Sequence, residues 1–243
     1  MSGRVVLIRH GDDPEDDRAA TFFRARGAEP ETVRPFRGDV LGDVDSGVVA
    51  SVVYGGPFNA FDGDKHPFLY DEARWIEQCM ERNVPLLGIC QGAQQIAHTL
   101  GAKVEPGPEG FREFGYYELT ATAAGLAYFP ERLVVCEAHS WGFDVPQGAE
   151  LLASSQLFPH QAFKYGAATF AFLFHAEVTI EGFRRWQAMP WAGYGRPGVQ
   201  TREEQERLMA AHDQAQHDWF MGFLDRLFGP ALNQSDMASL RPS

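Results

Sequence analysis

The sequence has little cysteine, little positive charge and no long apolar run. Its three cysteines, at positions 79, 90 and 136, form no paired framework and fit a reducing compartment. They also show no metal spacing. There is no C-x-x-C and no H-E-x-x-H, so no zinc site is expected. Lys and Arg number 21 against 33 Asp and Glu, a formal net charge of −12, which argues against binding a phosphate backbone. No apolar stretch approaches the roughly 20 residues of a membrane span. Met1-Ser-Gly-Arg-Val carries no signal-peptide apolar core, so a soluble cytoplasmic protein is expected. Internal repeats and low-complexity tracts are missing too.

What remains is a globular composition, 44% hydrophobic and 22% charged over 243 residues, long enough to bury a large core. Arg4–Ile8, 47–54 and 85–89 read as short buried strands. The stretches 17–26, 69–82 and 91–100 read as helices between and after them. That β-α-β-α-β-α rhythm predicts a parallel sheet with right-handed crossovers and helices on both faces. After Leu100 the pattern becomes β-rich and partly antiparallel, with strands expected at 117–122, 133–137 and 162–174. A helical turn or two is expected at 183–191 and a loop at 193–198. Thr201 and Glu204 make a capping-box signature before a long amphipathic helix over 201–228, which Gly229-Pro230 is expected to stop. The polar stretch 233–243 reads as a loose tail.

The chain is organised around Pro85-Leu-Leu-Gly-Ile-Cys90-Gln-Gly-Ala-Gln94. A buried strand runs directly into a helix, with Cys90 at the turn and Gly88 and Gly92 on either side. This is the nucleophile-elbow layout with cysteine in place of serine. The turn strains the central backbone and lets neighbouring backbones approach where side chains would clash. It also sets the thiol at a helix N-terminus, where N–H groups and the helix dipole favour negative charge. A lone cysteine is more commonly a small buried residue, as Cys79 beside the stripe of helix 69–82 is read to be. The paired glycines favour a nucleophile for Cys90.

A catalytic thiol needs a base, an orienter and oxyanion donors. Of eight histidines, His175 in Phe174-His-Ala-Glu177 stands at the carboxyl end of an apolar strand, where catalytic groups collect in open α/β sheets. Glu177, two residues on, projects to the same side and can fix its tautomer. Tyr54-Gly55-Gly56-Pro57 ends the strand before the nucleophile strand. Gly56 can turn an N–H toward an oxyanion, with the N–H of Gln91 as second donor, although alone Gly-Gly-Pro reads as an ordinary turn. His139 and His10 are candidates to line the same pocket. The acidic loop 10–17 reads as solvated.

Gly88-Ile-Cys90-Gln-Gly92-Ala-Gln94, preceded by Tyr54-Gly-Gly-Pro57 and followed by Phe174-His175-Ala-Glu177, resembles the class I (triad) glutamine amidotransferases. Within them it is most similar to the stand-alone GMP synthase-like group. The resemblance covers roughly residues 45–190 and implies a single domain over 1–243 with a flavodoxin-like, mostly parallel sheet flanked by helices and a smaller antiparallel β portion. It implies hydrolysis of a γ-glutamyl amide through a thioester on Cys90, with His175 as base, Glu177 as its orienter, and Gly56 and Gln91 in the oxyanion hole. Gly55, Gln94 and the backbone at His139, Ser140 and Trp141 would hold the amino-acid end. The substrate would be glutamine or another γ-glutamyl compound, without metal or organic cofactor. Ammonia would go to a separate synthase or acceptor protein; alternatives are a stand-alone γ-glutamyl hydrolase or peptidase with the same triad, and an inactive binding relative. Leu173 and Ala176 depart from the family's usual glutamine and proline and leave the triad intact.

Overall fold

The computed structural model describes residues 3–239, with side chains as far as residue 233. Its centre is a nine-stranded sheet in the order β2-β1-β3-β4-β11-β10-β9-β6-β7. Here β1 is Arg4–Ile8, β2 Glu31–Val33, β3 Val48–Val53, β4 Leu86–Ile89, β6 Glu113–Ala121, β7 Arg132–His139, β9 Glu150–Ser154, β10 Ala162–Tyr165 and β11 Thr169–Phe172. Strands β2, β1, β3, β4 and β11 pair in parallel, and β10, β9, β6 and β7 continue the sheet antiparallel. A separate ribbon joins β5 (Val104–Pro106) to β8 (Trp141–Phe143).

The helices are α1 (Arg18–Ala25), α2 (Phe68–Glu81), α3 (Gln91–Thr99), α4 (Ile180–Gln187) and α5 (Arg202–Ser239). Side chains alternate across β1. Val5 and Leu7 join Phe22, Phe23, Phe220 and Phe223 under α1 and α5, while Val6 and Ile8 join Trp75, Ile76 and Ile96 under α2 and α3. Both faces of the parallel half are therefore covered, the flavodoxin-like α/β arrangement expected from the sequence. Each fully buried Phe or Leu contributes on the order of 1.5–3 kcal/mol.

Local chemistry sets the boundaries. Asp17 caps α1 by accepting from the N–H groups of Ala19 and Ala20, both at 3.0 Å. Thr201 and Glu204 close the expected capping box on α5, with Thr201 N donating to Glu204 Oε2 at 2.9 Å and Glu204 N to Thr201 Oγ1 at 3.2 Å. Cys79 is buried among apolar side chains, and burial pushes its thiol up to about 12, as suits core filling.

Three features differ from the sequence expectation. Helix α5 does not stop at Gly229-Pro230; it continues to Ser239. Proline removes one helical N–H, but Phe228 and Leu232 on either side of it are both buried in the core under the sheet, and that packing outweighs the local break. Residues 240–243 of the expected tail lie outside the described residues. Strand β9 had no sequence signal, yet it is what links β10 to β6. Finally, 162–174 is not one strand but a hairpin of β10 and β11. The acidic 10–17 loop is solvent-exposed over Gly11–Pro14 and at Asp16, as expected, although Asp16 pairs with Arg185 of α4 at 2.7 Å and Asp17 is buried.

Candidate active site

Strand order reverses between β1 and β3, and the carboxyl ends of β1, β3, β4 and β11 open onto one cavity of about 660 Å³. A crevice at such a switch point is where open α/β sheets bind ligands. Cys90 stands there between β4 and α3, with φ +51° and ψ −106°, a backbone that non-glycine residues rarely adopt. Its N–H donates to Phe172 O at 2.8 Å, which pins the turn to β11. The flanking glycines are required by space. A Cβ on Gly92 would lie 2.0 Å from Val53 O, and one on Gly88 2.6 Å from Gly92 O.

His175 reaches this turn from the end of β11. Its Nδ1 is 2.8 Å from Glu177 Oε1, which leaves Nε2 for the neighbouring Cys90. Burial opposes a charge on His175. The adjacent Glu177 carboxylate and then Cys90 outweigh it, so the imidazole becomes far more basic than an ordinary histidine. The segment is held from three sides. His175 N donates to Cys136 O of β7, Arg18 N to Glu177 O, and the Arg18 guanidinium to Ala176 O while pairing with Asp213 of α5. Trp186 of α4 packs edge-on against His175, with ring centroids 4.9 Å apart.

Gly55 and Gly56 lie against this group. A Cβ on Gly55 would fall 2.9 Å from His175 Cε1 and 3.2 Å from Cys90 Cβ; one on Gly56 would fall 2.3 Å from His10 Cβ. Gln91 opens α3, so its N–H has no partner inside the helix. Its side chain turns inward and accepts from Phe58 N at 2.9 Å, tying the glycine loop to the helix that carries Cys90. Gln94 donates to Trp141 O at 3.1 Å, and Ser140 O accepts from Gly107 N at 2.8 Å, so each carbonyl already accepts one hydrogen bond. Gly55, Gly56, Gln94, His139, Ser140 and Trp141 line the cavity together with Cys90, His175 and Glu177.

Two further histidines are fixed beside the cavity. His10 Nδ1 is 3.1 Å from Tyr54 O, and Nε2 is 3.0 Å from Glu72 Oε2. His139 Nε2 is 3.1 Å from Glu113 Oε2 and 3.0 Å from Glu137 Oε2. Burial disfavours charge on His139, but Glu137 and Glu113 raise it to about 10; burial and Glu113 raise Glu137 to about 7. The ligand atoms of Glu113, Glu137 and His139 lie within 4.8 Å of one another, a grouping with the donor types of a metal site. A protonated His139, favoured by both carboxylates, would set a positive charge between them. Sequence reading missed Glu113 and Glu137. The i, i+2 relation of Glu137 and His139 on β7 was the available signal. Arg112, Trp186 and Trp191 also line the cavity and had no sequence cue.

The family model of class-I glutamine amidotransferases matches residues 23–185. This chain belongs to that family. It is 32% identical over 186 residues to the glutamine amidotransferase-like protein YfeJ of Salmonella typhimurium, covering 73% of this chain and 77% of YfeJ. It is 36% identical over 145 residues to the GMP synthase (glutamine-hydrolyzing) of Herminiimonas arsenicoxydans, covering 55% of this chain but only 25% of that enzyme. The crystal structure of a glutamine amidotransferase from Thermotoga maritima superposes with a TM-score of 0.82 at 26% identity, covering 94% of this chain and 99% of that one. Among the described residues, no helix is long and apolar enough to cross a membrane.

Proposed function

We propose that this class-I glutamine amidotransferase cleaves a γ-glutamyl C–N bond through a thioester on Cys90, with glutamine as amide donor. The observation that carries the reading is the Cys90–His175–Glu177 constellation: a strained elbow cysteine beside a histidine whose Nδ1 is 2.8 Å from a buried carboxylate.

The sulfur adds to the γ-carbonyl carbon, and charge collects on the carbonyl oxygen. The N–H groups of Gln91 and Gly56 are the donors for it, at a helix N-terminus and at a glycine with no room for a side chain. The C–N bond then breaks, and the leaving amine takes a proton from His175. Water, deprotonated by His175, adds to the thioester and expels the sulfur, so one amide and one water become glutamate and an amine. Glu177 holds the ring with Nε2 toward Cys90 throughout. The glutamyl group extends toward Gln94 and Trp141, on the α3 side of the cavity. None of these steps calls on a cofactor.

With glutamine the amine is ammonia, and a separate synthase or acceptor protein would consume it. The test is glutamate release from glutamine and from γ-glutamyl amides by wild type and by Cys90→Ala, whose fold is checked by circular dichroism. Unchanged release in a folded Cys90→Ala protein sinks the assignment. A second reading, a γ-glutamyl hydrolase acting without a partner, is favoured by the cavity. At about 660 Å³ it is in the range that takes drug-sized ligands, well beyond a single amino acid.

A further inference from the structure

The cavity wall is rich in ion pairs. Arg9, Arg185, His10, His139 and His175 all line it, and each has a carboxylate partner. Arg112 also lines it, and among the described residues it has none. Its Nη1 donates to Trp191 O at 2.6 Å, and its Nε is buried without a hydrogen-bond partner. The guanidinium carbon sits 5.4 Å from the ring centre of Trp191 and 5.5 Å from that of Phe114. Burial and the nearby Arg196 disfavour the charge on Arg112 and prevail over Cys90 and Tyr117, which favour it; no carboxylate takes part. A half-buried, unpaired guanidinium facing a cavity is matched by a carboxylate, which it can bind through two parallel N–H donors.

Its position says which carboxylate. His175 delivers the proton to the leaving amine, so that amine departs on the His175 side of Cys90. From His175 the rings run outward in series: Trp186 is 4.9 Å from it, Trp191 is 6.0 Å from Trp186, and Arg112 lies over Trp191. In the proposed reading the glutamyl end is held by Gln94 and Trp141, which line the same cavity and are no part of that series. We propose that Arg112 binds a carboxylate on the leaving amine, with Trp186 and Trp191 lining the path to it, so that the favoured substrates are γ-glutamyl amino acids or peptides. This rests on the Cys90 thioester reading and goes beyond it by naming the substrate class.

The test compares kcat/KM for γ-glutamylglycine, γ-glutamylglycinamide and glutamine, using the full chain. The structure predicts that the free carboxylate is preferred over its amide by about tenfold or more, and that this ratio falls toward one in Arg112→Gln and is partly kept in Arg112→Lys. Equal use of the two compounds by wild type overturns the proposal. So does an equal fall for both in Arg112→Gln, which makes the arginine a prop for Trp191. If glutamine loses as much as γ-glutamylglycine, Arg112 holds the α-carboxylate instead, and the proposal also fails. Calorimetric binding of the two γ-glutamyl compounds to Cys90→Ala decides the matter independently of turnover, since the same preference must appear in Kd. Turnover that survives in Cys90→Ala breaks the thioester reading, whereas a missing preference in an active wild type breaks only the Arg112 assignment.

Discussion

Two buried histidine–carboxylate groups face the same cavity and behave differently. His175 uses Nδ1 on one carboxylate and keeps Nε2 for Cys90. His139 places Nε2 between two carboxylates, and its Nδ1 is buried with no hydrogen-bond partner. Both rings are made more basic by their acids. Basicity alone therefore does not mark a general base. What separates the two is which nitrogen the acid occupies and whether the other meets a nucleophile. In the proposed reaction His175 moves a proton, whereas His139 sits between Glu113 and Glu137 where antiparallel β6 and β7 meet the site.

This contrast can be broken by mutation. The largest effect is expected at Cys90 and His175: Cys90→Ala and His175→Asn each lower kcat by about 10³-fold or more, and the double variant is little worse than either. Additive losses would show that the two side chains do not act as one unit. Glu177→Gln comes next. Loss of the tautomer-fixing acid lowers kcat by about 10²-fold or more, with a much smaller change in KM; a pure KM effect in steady-state kinetics would contradict the orienting role. His139→Gln belongs to a different scale, stability. It leaves Glu113 and Glu137 facing each other, and chemical denaturation at neutral pH should register about 3–5 kcal/mol less stability. A variant as stable as wild type would mean that the imidazolium is not needed between the carboxylates.

The smallest effect is a pH dependence of that same group. His139 binds its proton more tightly folded than unfolded, with about 10 against the ordinary 6.5. Its stabilisation is complete below about pH 6.5 and is lost as pH rises toward 10. Glu137, raised to about 7 from 4.5, also holds its proton more tightly when folded, so its share fades earlier, between those two values. Both changes run the same way. The stability gap between wild type and His139→Gln should therefore narrow from pH 7 to pH 10 in thermal melts, and a gap that stays level refutes the assignment of charge to His139.

The readable parts of this site were those built from neighbours in sequence. Gly88-x-Cys90-x-Gly92 announces its own turn, because the glycines are needed by contacts that the strand-to-helix reversal itself creates. His175 and Glu177 are two residues apart at a strand end, so one projection rule joins them. The same rule applies to Glu137 and His139, where it went unused, but Glu113 enters only because β6 registers Glu113 opposite His139, a pairing no local pattern encodes. Arg112 owes its place to the chain returning some 80 residues later: its N–H donates to Pro197 O at 3.1 Å, and Phe114 bridges Val199. Strand β9 and the passage of α5 through Pro230 were hidden for a related reason. In both, tertiary packing overrides weak or contrary local preference.

Gln91 has one more consequence. In the proposed reaction its main-chain N–H is offered to the reacting oxygen, while its side-chain oxygen accepts from Phe58 N. One residue thus spans the moving charge and the loop opposite. The Phe58 amide is accordingly a built-in gauge of the site: its hydrogen-exchange rate should slow when a γ-glutamyl group is held on the sulfur and recover on release, giving turnover a signature that needs no chromogenic substrate.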